Sequence, residues 1–93
     1  MMIANGDKVR NWVKDNDEEA MFADGLDDAI IAISRDSLTG KYRVVYDVAR
    51  IVQVLINDQG MDEDEAYEYM EHNIINAYVG EMTPIWAFLP EEN

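Results

Sequence analysis

Ala29-Ile30-Ile31-Ala32-Ile33-Ser34, the polar link Asp36-Ser37-Leu38-Thr39-Gly40 and Tyr42-Arg43-Val44-Val45-Tyr46 succeed one another before the middle of this chain, and together they read as a β-hairpin. The first run is apolar on both faces, as suits a central strand covered on at least one side. Burying one isoleucine fully contributes roughly 1.5 to 3 kcal/mol, so this run is expected to anchor the core. The second run is rich in β-branched and aromatic residues, which fit a pleated and half-buried surface.

Asp47 follows the hairpin at a position where its carboxylate can cap a helix. Val48, Ile51, Val52 and Leu55 then fall at i, i+3, i+4 and i+7, predicting a helix over 48–58 that Gly60 terminates. Asp62 and Glu65 have the spacing of a capping box, and a second helix is expected over 63–79. Its apolar stripe is Ala66, Met70, Ile74 and Ala77, flanked by Tyr67 and Tyr78, while Asp64, Glu68 and Glu71 occupy another side. Gly80 ends that helix and Pro84 prevents its return. Ile85-Trp86-Ala87-Phe88-Leu89 alternates as a last strand would. Upstream, Val9, Trp12 and Val13 mark a short N-terminal helix, and Asp24-Gly25 is a turn signal. The expected fold is α+β: a small antiparallel sheet (hairpin 29–34/42–46 plus strand 85–89) packed by helices 48–58 and 63–79 and the short N-terminal one. All 93 residues fit a single domain, 1–93, with no linker or repeat.

Charge is the strongest compositional feature. The net charge is −13, from 20 Asp and Glu against 7 Lys and Arg, and every Lys and Arg lies at or before Arg50. The chain beyond Arg50 is therefore purely acidic apart from His72. Such a surface repels phosphate backbones and anionic lipid and attracts basic proteins, so direct nucleic-acid and membrane partners are not expected. There is no cysteine, which removes disulfides, thiolate metal sites and Cys nucleophiles. No run approaches the roughly 20 apolar residues of a membrane span, and none near the N-terminus suits a signal peptide, so the expected compartment is the cytoplasm.

Candidate sites are few. Asp24, Asp27 and Asp28 offer hard oxygen ligands around a glycine turn, a set that Ca²⁺ or Mg²⁺ could use. The same residues serve equally as turn and capping groups, and no window has EF-hand spacing. His72 is the sole histidine and shares a polar helical strip with Tyr69, Asn73 and Asn76. A lone imidazole does not build a zinc site, and no Walker loop, dinucleotide fingerprint or nucleophile elbow is present. No cofactor and no enzymatic activity are expected. Aromatics left on a sheet face that helices do not cover would form a contact patch, which points to homodimerisation.

The runs Asp24-Gly25-Leu26-Asp27-Asp28-Ala29-Ile30-Ile31, Val45-Tyr46-Asp47 and Ala77-Tyr78-Val79-Gly80-Glu81 with Thr83-Pro84-Ile85 resemble small acidic proteins of tailed bacteriophages and related bacterial sequences, over about residues 22–88. The resemblance implies a phage-type origin and expression in a bacterial host cytoplasm, and it brings no activity with it. Joined to the charge, it suggests an accessory protein that binds a basic host or phage protein, as an acidic inhibitor or nucleic-acid mimic. The expected contact is Asp64, Glu68 and Glu71 with Tyr69 and His72; the alternative is a ligand- or divalent-metal-binding domain using Asp24, Asp27 and Asp28.

Overall fold

The computed structural model describes residues 5–16, 19–77, 80 and 82–90. Helix α1 (Gly6–Asn16) places Val9 and Val13 in the core, and Asn5 closes its start by accepting the Lys8 amide at 2.9 Å. Trp12 stays on the margin, edge-on to Tyr42 at 4.7 Å between ring centroids. Gly6 is required where it stands: a Cβ there would sit 2.6 Å from the Asp27 carbonyl oxygen, so only a bare backbone lets α1 approach the 27–29 turn so closely.

Strand β1 (Ile30–Arg35) pairs antiparallel with β2 (Tyr42–Asp47), as the hairpin reading expects. The Asp36 carboxylate accepts from the Leu38 and Thr39 amides to shape the connection. The register shifts between Ile30 and Ala32, a bulge that lets consecutive Ile30 and Ile31 both be buried. In β2 the alternation is plain: Val44 and Tyr46 are fully buried, and Val45 between them is half-buried.

Helix α2 (Val48–Gln59) begins directly from β2, where Asp47 accepts the Ala49 amide, and ends at Gly60 with φ of +71°. It brings Ile51, Val52, Val54 and Leu55 into the same core as Val9, Ile30 and Tyr46. Helix α3 (Glu63–Tyr69) starts at Asp62, whose carboxylate accepts the Glu65 amide at 2.8 Å. After Tyr69 the chain widens into a π-helical turn (Met70–Ile75). Widening changes which side chains face inward: Ala66 and Met70 are buried as expected, but Ile74 and Ile75 are both half-buried and Ala77 is exposed. The expected helix over 63–79 is thus α-helical only to Tyr69, and residues 78 and 79 lie outside the described residues.

The last strand, β3 (Ile85–Ala87), corrects the expected sheet. It pairs with β2 in parallel, with Val45 opposite Ile85 and Asp47 opposite Ala87, giving a mixed three-stranded sheet of order β1-β2-β3. A long connection through two helices can deliver a strand in either direction, and alternation of side chains carries no directional signal. The strand stops at Ala87 rather than at residue 89, leaving Phe88 and Leu89 exposed. Thr83 and Pro84 are buried just before it, and Arg43 Nε donates to the Thr83 carbonyl at 2.6 Å, fastening the approach of β3 to β2. The architecture is α+β, a small sheet packed by helices, and no helix among the described residues is long and apolar enough to cross a membrane.

Candidate functional site

Residues 20–26 have no regular secondary structure, yet they are held firmly against the core. The Ala23 amide donates to the Tyr46 hydroxyl at 2.7 Å, and Gly25, at φ +78°, allows the turn that follows. Burial pushes the Tyr46 phenol above its ordinary value, and the bond from the Ala23 amide opposes that shift in part. On the outer side, the Arg10 guanidinium lies over the Phe22 ring at 4.1 Å and grips Asp27 through two bonds of 2.6 and 2.7 Å. The hydrogen bond from Arg10 holds the Asp27 carboxyl below the usual carboxylate range.

The loop so placed supplies Met21, Phe22 and Asp24 to a cleft of about 420 Å³. Val54 and Leu55 from α2 and Tyr69, Asn73 and Ile74 from α3 and the π-helical turn line it too, together with Met61 and Trp86. Trp86 is carried by β3, and its ring lies 5.4 Å from that of buried Tyr46. The Asn73 side-chain amide donates to the Tyr69 carbonyl at 3.2 Å, one helical turn back. A second, more open depression of about 290 Å³ shares Met61, Tyr69 and Asn73 with the cleft and adds Glu65, Glu68 and His72. The first has the volume and mainly apolar lining to take a bulky side chain or small ligand, and the second lies beside it with Glu65 and Glu68.

No family model, curated protein or solved structure matches this chain. What it does has to be argued from the cleft and its charged margin.

Five residues are expected from the sequence to make the partner contact. Asp64, Glu68, Tyr69, Glu71 and His72 are all exposed; Glu68, Tyr69 and His72 meet in the acidic depression, whereas Asp64 and Glu71 lie outside its lining. The three aspartates named for a metal do not assemble. Asp24 lines the cleft and Asp27 is bound to Arg10, and among the described residues no three or more acidic or histidine side chains form a group able to hold a metal. The physical reason is competition: the Arg10 fork offers Asp27 two charge-assisted bonds and turns its carboxylate toward α1. Asn73 stands out only through the polar strip it shares with His72, and nothing in the sequence singles out Met21, Phe22, Met61 and Trp86 as a site. Their one sequence signal is the pair Met21-Phe22 just before a glycine turn, and only the tertiary fold brings Trp86 to it.

Proposed function

We propose that this chain is a phage-type accessory protein of the bacterial cytoplasm that acts by binding a protein with a basic surface rather than by catalysis. The observation that carries this reading is the acidic face of α3 and the π-helical turn. Asp64, Glu68 and Glu71 are exposed there, no cation pairs with them among the described residues, and the sequence has no Lys or Arg beyond Arg50. Carboxylates held on a packed helix present a fixed negative field that speeds encounter with a positive patch and repels other acidic surfaces. A protein that ordinarily grips nucleic acid has such a patch, so a nucleic-acid-binding protein is the favoured partner. The phage-type origin rests on the sequence runs that resemble tailed-phage proteins.

Affinity capture from bacterial lysate at low salt tests the proposal. The captured protein should be basic, should elute as salt rises, and should be lost from the double variant Glu68→Lys/Glu71→Lys. Capture that survives both high salt and charge reversal would overturn the reading.

A further inference from the structure

We infer that the cleft beside the acidic face is the anchor pocket for the same partner: it receives one bulky apolar side chain of a basic segment, whose flanking Lys or Arg residues reach the carboxylates on its margins. This rests on the acidic-face reading and adds to it where the partner is held and by what chemistry. Interfaces draw most of their affinity from a few large side chains sunk into well-packed pockets, while rim charges mainly steer and orient. The cleft has the wall such an anchor needs, since Met21, Phe22, Met61, Ile74 and Trp86 present carbon and sulfur surface to a space of about 420 Å³. Methionines suit it further, because an unbranched thioether can adjust to the shape of an incoming group.

Charge names the occupant. Asp24 stands in the cleft lining, and Glu65 and Glu68 stand in the neighbouring depression, which shares Met61, Tyr69 and Asn73 with it. Neither lining contains a Lys or Arg, and Arg10 beside Phe22 is already committed to Asp27. The cations must therefore come from outside this chain. A second copy would bring another −13 of net charge to the same surface, which favours a different, basic molecule. An apolar cleft with an acidic depression beside it offers ground for more than one side chain, as a peptide segment requires.

The probe is a displayed library of random dodecapeptides selected on the intact chain at low salt. Enriched peptides should share one Leu, Phe or Trp with two or more Lys or Arg nearby. A synthetic peptide of that consensus should shift the emission of Trp86 in a Trp12→Phe background. Replacing its apolar residue by Ala should weaken binding about tenfold or more. Ala77→Trp, which narrows the cleft from an exposed position, and the uncharged polar Met21→Gln should each do the same while circular dichroism stays unchanged. If selected peptides are basic and salt-sensitive but indifferent to the anchor, to Ala77→Trp and to Met21→Gln, the pocket assignment falls while the acidic-face reading stands. Salt-insensitive apolar peptides, no enrichment at all, or concentration-dependent self-association that occupies the cleft would each overturn the inference.

Discussion

Tyr46 links the core to the candidate site through one atom. Its hydroxyl accepts the Ala23 amide, so Tyr46→Phe leaves that partly buried N–H without its acceptor, and chemical denaturation should register a loss of about 1 to 2 kcal/mol. The pH dependence follows from the direction of its shift. Because the native phenol titrates above the ordinary 10.0, the folded state holds its proton longer than the unfolded chain. The contribution of Tyr46 is therefore fully present below about pH 10 and is lost as pH rises from there through the native value; Tyr46→Phe should make that alkaline decline shallower. Asp27 behaves in the opposite sense. Its carboxyl is held below 3.8 by the hydrogen bond from Arg10, so its contribution is present above that pH and is lost as the solution is acidified through the native value. The pair is over 40% exposed on each side, which limits it to about 1 kcal/mol or less. Arg10→Met should move the Asp27 carboxyl upward in a carboxyl NMR titration. Gly6→Ala should cost more, about 1 to 3 kcal/mol in a denaturant melt, because the added carbon meets backbone oxygen that cannot rotate away.

At the scale of elements, the joint between α2 and α3 is built from two residues whose roles are readable in sequence. Gly60 adopts φ +71° and Asp62 caps α3. Gly60→Ala and Asp62→Ala should each lower stability by about 1 kcal/mol, measured as a shift in denaturant midpoint at constant slope. The hairpin, α2 and the start of α3 are legible because hydrophobic period and capping chemistry agree at every step. The bulge at Ile31, the π-helical turn and the direction of β3 are not. A local period carries no signal for an inserted residue or a widened turn, and the direction of β3 depends on pairing between segments distant in sequence. The cleft is illegible because its lining comes from distant segments: Phe22, Leu55, Ile74 and Trp86 have no mutual spacing that a pattern could reveal. The acidic depression was partly legible, since Glu68, Tyr69 and His72 lie close enough along one helical stretch to be grouped without tertiary knowledge.

For the whole molecule, a charge of −13 on 93 residues means self-repulsion in the compact state. Screening should relieve it, so raising salt from a low value should lift the thermal midpoint by a few degrees; a flat or falling midpoint would show that the negative charges are too well separated to matter. The parallel pairing of β2 with β3 adds a kinetic dimension. The β1–β2 hairpin closes across a short link, whereas β3 must wait until residues 48–84 have looped back to it. Hydrogen exchange should then show β2–β3 amides opening more easily than β1–β2 amides, and Ile85→Ala should speed unfolding while hardly slowing folding. Because Trp86 belongs both to β3 and to the cleft wall, detachment of one three-residue strand would dismantle the pocket and leave the hairpin standing. The cleft then has a lifetime of its own, shorter than that of the fold, and any ligand that filled it would act as a latch on the strand.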